Sequence, residues 1–332
     1  MSDAEYPSQI GAMAQAIGTT SAIPRATRSA KWRALLREMW KHRVDYLFIS
    51  PFFVVFLVFG VYPTLWGLRL SLSRWPGGQK PMEWVGLNNY IGLLTSDPLL
   101  GKAFVNTMML LGWILPTGLA FALVVAVMLN ARRLRGRGIF RTIYFLPFVT
   151  SGVIVAIVFS QFLDKNYGWV NLLLGKVGIP PVPWLTEAIP AQISVTLLLH
   201  WMGSGTNILI FLGALQAIDR ELYEAAEIDG ANAVQTFFRI TVPMLRPVLL
   251  FMIITATIGL INLYAQVKLL TNGGPQNNTY TMFMRMIDLI AGNRFGEGAA
   301  LGFIMGAIIL VITFIQLRVL RSWWTVEGNL KG

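Results

Sequence analysis

The sequence predicts an all-α integral membrane protein: six transmembrane helices, with one structured polar loop between the fourth and fifth. Two observations carry this. Of 332 residues, 55% are hydrophobic and only 13% charged, against about 25% charged in a soluble domain. Six long stretches also lack Asp, Glu, Lys and Arg: 46–68, 103–131, 142–163, 188–218, 247–267 and 298–317. A membrane-crossing helix needs about 20 mostly apolar residues to span a hydrocarbon core about 30 Å thick.

The elements follow in order. Residues 1–44 form a tail whose first 24 residues have the pattern-poor, small and polar composition of a disordered segment. In the run KWRALLREMWKHR, Trp32, Leu35, Leu36, Met39 and Trp40 recur at helical spacing with bases opposite. This reads as an amphipathic helix lying on the membrane surface. Residues 45–322 hold the six spans, and 323–332 form a second tail. The first span lacks a convincing small-residue cleavage site after it and is read as retained.

Basic residues set the orientation. The first tail carries Arg25, Arg28, Lys31, Arg33, Arg37, Lys41 and Arg43; the loop after span two carries Arg132, Arg133, Arg135, Arg137 and Arg141 with no acid among them. Both termini are therefore expected to be cytoplasmic. A net charge of +11 in a soluble chain would raise nucleic-acid binding. Here the bases lie outside the apolar runs, topology explains them, and membrane lipid rather than nucleic acid is the expected contact. The chain has no cysteine, which excludes disulfides, thiolate catalysis and Cys-based metal sites.

The most informative segment is the loop 219–246, DRELYEAAEIDGANAVQTFFRITVPMLR. Its acids and bases rule out burial in lipid, where each costs about 2.5–3.5 kcal/mol at the centre. Yet the pattern is helical. Leu222, Tyr223, Ala225, Ala226 and Ile228 suit a helix, and Glu221 and Glu224 sit near its N-terminus, where the dipole favours them. Gly230 interrupts, and a second helical pattern runs through Phe237 and Phe238 to Pro243 and Pro247. The expectation is a helix–turn–helix elbow parallel to the membrane. Small Ala225 and Ala226 would admit a close partner.

With Glu224-Ala225-Ala226, Gly230, Ile240 and Pro243 at this spacing, the segment resembles the EAA signature of permease subunits from bacterial ATP-binding-cassette (ABC) importers. Val242 stands where Leu is usual. Asp229-Gly230-Ala231, Phe237 or Phe238, and Pro247 look like the sugar-importer subclass. Gly86-Leu87-Asn88-Asn89-Tyr90, Phe145-Leu146-Pro147 and Leu270-Thr271-Asn272-Gly273-Gly274-Pro275 extend the likeness over roughly residues 45 to 320. The last element is similar to the maltose-transporter-like subunit of a heterodimeric pair.

The resemblance implies a type I ABC importer permease fold in a prokaryotic cell membrane. It implies a second permease subunit, a cytoplasmic ABC ATPase dimer and an extracytoplasmic sugar-binding protein. Docking to the ATPase would fall to Glu221, Glu224, Ala225, Ala226, Asp229, Gly230, Ala231, Phe238 and Pro243, with the elbow transmitting nucleotide-driven closure to the spans. ATP and Mg would sit on that partner, since this chain has no G-x-x-x-x-G-K-[ST] phosphate loop.

A sugar path needs hydrogen-bonding and aromatic side chains within the membrane. Span five offers Asn262, Tyr264 and Gln266; span four offers Trp201, Ser204, Thr206 and Asn207. At helical spacing Asn262 and Gln266 share a face. The alternative role for any of them is interhelical hydrogen bonding. Gly203 and Gly205 around Ser204 fit either a broken helix lining the pathway or close helix packing. For His200 the expectation is a neutral ring bonded to a neighbouring helix, because the six runs contain no acidic partner for a proton relay. Trp75, Trp84, Trp169 and Trp184 fit interfacial anchors.

The leading function is an ATP-driven, binding-protein-dependent sugar importer permease, neither a catalyst nor a metal protein. A related permease for a non-sugar polar solute is the alternative. An integral membrane enzyme acting on lipid-linked sugar would need acid/base or metal-binding groups gathered at the interface, and the acids here are sparse and cluster in the elbow. An ion-coupled secondary transporter would normally keep charges inside its spans, and the six runs contain none.

Overall fold

The computed structural model describes residues 32, 37–131 and 136–325. The first 24 residues, residues 31 and 33–36 of the amphipathic run and the last seven residues lie outside that range; of the run, residues 37–41 are helical. The chain divides at Thr64/Leu65 into two compact units.

In the first unit, and running seven residues beyond it, α1 spans Arg43–Ser71. It carries a π-turn at Leu57–Val61. Phe52 and Phe56 stack along it, ring centroids 6.2 Å apart. None of its apolar window is buried, so that surface needs a lipid-like or protein environment.

The second unit opens with a two-residue hairpin, β1 (Ser73–Arg74) and β2 (Glu83–Trp84), paired antiparallel. After it come α2 (Asn88–Ser96) and α3 (Leu100–Asn130). Then follow α4 (Arg137–Val149), α5 (Gly152–Phe162), α6 (Trp169–Lys176) and α7 (Ala188–Gln216). The elbow is α8 (Arg220–Ile228) and α9 (Ala233–Met244). The chain ends with α10 (Arg246–Ile261), α11 (Ala265–Thr271), α12 (Met282–Ala291) and α13 (Phe295–Thr325).

Among the described residues, four helices are long and apolar enough to cross a membrane alone: α1, α3, α7 and α13 up to Val319. The count reaches six when two bent pairs are each taken as one span. These are α4 with α5, bent by 92°, and α9 with α10, bent by 67°. Span three of the sequence reading is thus two helices meeting beyond Pro147, whose ring cannot continue the ladder. Span five stops early: α10 ends at Ile261 and a new helix starts only at Ala265. The loops between spans are also more ordered than composition suggests, with α2, α6, α11 and α12 in them.

The pair α3–α7 forms the spine of this unit. One buried cluster joins Leu110, Val155, Leu198, Val267 and Met284; a second joins Ala122, Ile208, Phe211, Leu215 and Leu245. Small residues bring the backbones close. A Cβ on Gly205 would lie 2.3 Å from the Tyr144 carbonyl oxygen, so α4 packs directly on α7 there. Of the two readings of Gly203 and Gly205 this favours packing: α7 is continuous, and Gly205 serves close helix approach. Hydroxyls within the apolar helices bond to their own backbone, as lipid favours: those of Thr107, Thr196 and Thr257 each donate to the carbonyl four residues earlier.

Candidate functional site

Two cavities flank α7 and share His200 and Ser204 in their walls. The first, about 720 Å³, lies among α3, α4, α5 and α7 and is faced by Trp113, Phe121, Phe159, Trp184 and Trp201. Several of its polar groups are already engaged. Thr196 donates to Gln192, Ser204 to Trp201, and Thr117 lies 2.9 Å from the His200 Nε2. The His200 Nδ1 sits 2.8 Å from the Thr196 carbonyl, which can only accept, so Nδ1 carries the proton. The ring thus bridges α7 to α3, the helix-bridging role expected from sequence.

The second cavity, about 350 Å³, lies among α3, α7, α10 and the start of α11. Its walls include Gly118, Met202, Gly203, Asn207, Gly259, Leu263 and Gln266. Among the described residues the Asn207 and Gln266 amides meet no hydrogen-bond partner, so this wall offers donors and acceptors to a polar solute. Glycines at 118, 203 and 259 keep the floor open.

Of the six substrate-contact candidates, Ser204, Asn207 and Gln266 line this cavity, and Trp201 with Ser204 lines the larger one. Trp201 also packs on Phe159, with centroids 5.7 Å apart. The other two stand apart. Asn262 is exposed and turns its amide back onto the Ile258 carbonyl at 2.8 Å. Tyr264 is half-buried with its ring 6.0 Å from that of Phe283. The shared helical face of Asn262 and Gln266 does not exist, because the helix breaks between them: Asn262 caps α10, and Tyr264 at φ −136°, ψ −69° precedes α11. Sequence reading missed Leu263 and Gly259, apolar residues that nothing in composition distinguishes from packing.

The elbow is the second functional region. Asp219 caps α8 through the Glu221 N–H at 3.2 Å, and Asn232 and Gln235 form a reciprocal capping box at α9. Gly230 turns the corner at φ +76°, a left-handed conformation that a glycine adopts without steric cost. The Ala231 N–H reaches back to the Ala226 carbonyl at 2.9 Å, and the Tyr223 and Thr241 hydroxyls join the two arms at 3.1 Å. Ala226 is buried in this fold, so only Ala225 of the pair is open to a partner, which corrects the pairing expected from sequence. Glu221, Glu224, Asp229, Gly230 and Phe238 are exposed; Ala231 and Pro243 are half-buried. Glu224 pairs with Arg220 at 3.1 Å on the surface, an interaction worth less than about 1 kcal/mol and easily exchanged for another cation. Around these charges Ile228, Val234 and Phe238 are 87%, 65% and 63% exposed.

Outside the spans, Trp75 packs against Phe295 with tilted rings whose centroids are 5.4 Å apart, and the Trp184 indole donates to Asn171 at 3.0 Å. Trp84 and Trp169 remain exposed.

Helices suited to a membrane, a cavity walled by free amides between them, and a charged elbow with bare apolar side chains define a multi-pass solute permease, whose role is transport rather than catalysis. Residues 116–322 match the family described as binding-protein-dependent transport system inner membrane component. The chain belongs to that family. It is 33% identical over 318 residues to the arabinooligosaccharides transport system permease protein AraP of Bacillus subtilis (strain 168), covering 95% of this chain and 97% of that one. It is 36% identical over 283 residues to the lactose transport system permease protein LacF of Rhizobium radiobacter, covering 83% and 94%. A crystal structure of a bacterial ABC transporter involved in the import of the acidic polysaccharide alginate superposes with a TM-score of 0.73 at 26% identity, covering 87% of this chain and 99% of that one. The fold is that of a type I ABC importer permease.

Proposed function

We propose that this chain is the membrane permease of an ATP-driven importer of sugars or oligosaccharides, working beside a sister permease and on a dimer of cytoplasmic ATPases. The observation that carries the reading is the elbow. It is too charged for lipid and too well ordered for a spacer, yet it leaves Ile228, Val234 and Phe238 bare. Apolar groups presented together on a water-side segment mark a protein-docking surface. Both termini lie on the same cytoplasmic side as the elbow, and an extracytoplasmic binding protein delivers solute to the opposite face. ATP and Mg are held by the ATPase, and this chain contributes the docking elbow and the path. Relatives named for arabino-oligosaccharides and lactose, together with the free amides of Asn207 and Gln266, support a hydroxyl-rich solute over an ion.

Co-expression with the neighbouring genes and purification through a tag on this chain tests the reading. The ATPase should co-purify with the parent chain. Glu224→Lys should cut its recovery by about tenfold, the equivalent of about 1.4 kcal/mol, without altering membrane insertion. Full recovery of ATPase with Glu224→Lys, and sugar-stimulated hydrolysis equal to the parent's, would defeat the docking role of the elbow.

A further inference from the structure

The break between α10 and α11 is held open from outside its own span. Leu263 lies in the break, is 6% exposed and forms part of the wall of the smaller cavity. Its carbonyl accepts a hydrogen bond at 2.8 Å from the hydroxyl of Thr281, eighteen residues later and fully buried. The same hydroxyl oxygen accepts from the Met284 N–H at 3.3 Å and so starts α12. One side chain therefore joins the cavity wall to the end of the connecting loop.

That loop is fastened elsewhere, mainly through its backbone. The Asn106 amide of α3 donates to the carbonyls of Asn277 and Tyr280, at 2.7 and 3.0 Å. Lys102 of α3 donates to the Gln276 carbonyl, and Gln192 of α7 donates to that of Asn278 at 3.1 Å. The Met282 N–H donates to the Thr107 hydroxyl at 3.0 Å. Asn272, Gln276 and Asn277 hold left-handed backbone angles, which non-glycine residues keep only where the surroundings determine them. The loop is thus referenced to α3 and α7, the two helices that form the opposite walls of the cavity.

We infer that Thr281 is a positioning residue for the solute path: by holding the Leu263 carbonyl it keeps the chain out of helical geometry between Ile261 and Ala265 and fixes where Gln266 meets the cavity. A carbonyl at a helix break has lost its partner four residues on, and Leu263, 6% exposed, leaves little room for water to replace it. Without the threonine hydroxyl the chain satisfies that carbonyl by rewinding toward a continuous helix, which turns Gln266 to a new azimuth. A rewinding by even one residue moves a side chain through about 100°. The inference rests on the cavity being the solute path, but its test does not.

The absence of cysteine makes the test direct. Gln266→Cys reports the cavity and Ser96→Cys, at the exposed C-terminal end of α2, reports the outer surface. Each is placed in the full chain assembled with its partners in membrane vesicles. Both are labelled with a membrane-impermeant methanethiosulfonate reagent, and the modification rate is read on this chain. Thr281→Val should change the rate at position 266 by about fivefold or more and leave position 96 unaltered, while Thr281→Ser should restore the parent rate. If the valine variant does not accumulate, Thr281→Ala is read in its place. Equal rates at 266 in parent and variant, a parallel change at 96, or a serine that behaves like valine would each overturn the proposal. Failure of the ATPase to co-purify with the parent chain would count against the importer reading alone, because labelling requires no transport.

Discussion

At the scale of single residues, burial and hydrogen bonding sort the candidates that composition could only gather. Asn207 and Gln266 present unpartnered amides to a cavity of about 350 Å³, whereas Asn262 spends its amide on the Ile258 carbonyl. Replacing a free amide in a solute path with Leu removes hydrogen bonds that polar recognition requires. Asn207→Leu is therefore expected to raise the uptake KM by about tenfold or more, at about 1–3 kcal/mol, and Asn262→Leu to leave it within about twofold; initial-rate uptake into vesicles separates them. If the two variants swap these effects, the path runs on the other side of the break. Gly205 supplies a stability prediction. A methyl there would sit 2.3 Å from the Tyr144 carbonyl oxygen, while at Gly203 the nearest atom is 3.9 Å away. Overpacking of this kind costs about 1–3 kcal/mol, so Gly205→Ala should lower the melting temperature of the purified protein and Gly203→Ala should not. Glycine was visible in the sequence at both positions; which of the two faces a backbone was not.

At the scale of elements, the bent spans and the ordered outer loops depend on a few long-range ties. The clearest joins the corner between α2 and α3 to α12. Arg285 donates to the Asp97 carboxylate at 3.0 Å through Nε and 2.7 Å through Nη2, and the Leu99 and Leu100 N–H groups donate to its other oxygen at 2.9 and 3.0 Å. The two side chains are 14% and 2% exposed. Burial alone would raise the Asp97 pKa, but the hydrogen bond and charge of Arg285 together with the two backbone donors outweigh it and hold the carboxyl below its ordinary value. A depressed folded-state pKa stabilises fully above the unfolded value, about 3.9, and that stabilisation is lost as pH falls through the lower folded value. The parent protein should hold its melting temperature down to about pH 5 and lose it below about pH 4. Asp97→Ala, which strands the guanidinium, should cost about 3–5 kcal/mol at neutral pH and flatten that acid limb. A melting series against pH checks both, and an acid limb unchanged by the substitution would remove Asp97 as its source. Nothing in the sequence pairs Asp97 with Arg285, 188 residues apart; local patterns carry no information at that separation.

For the whole molecule, charge placement predicts one topology that the absence of cysteine lets a single method test. Asn232→Cys in the elbow should react with an impermeant thiol reagent only from the cytoplasmic side, and Ser96→Cys only from the outer side. Reaction of both from one face would reverse or break the six-span arrangement. The amino-acid sequence by itself determined that the chain lives in a membrane, how many apolar runs it carries and where its charged elbow lies. Those properties follow from transfer free energies summed over neighbours in the chain, and lipid penalises a misplaced charge regardless of tertiary detail. Its capping residues and Gly230 likewise fix the elbow locally. Tertiary structure alone decided that span five breaks at Leu263, that Ala226 turns inward while Ala225 stays open, and that Asn207 and Gln266 rather than Asn262 face the cavity. The break carries a tie from far along the chain, the Thr281 hydroxyl on the Leu263 carbonyl. A hydrogen bond across a helix gap is worth most where water is missing, and only the packed fold says where that is.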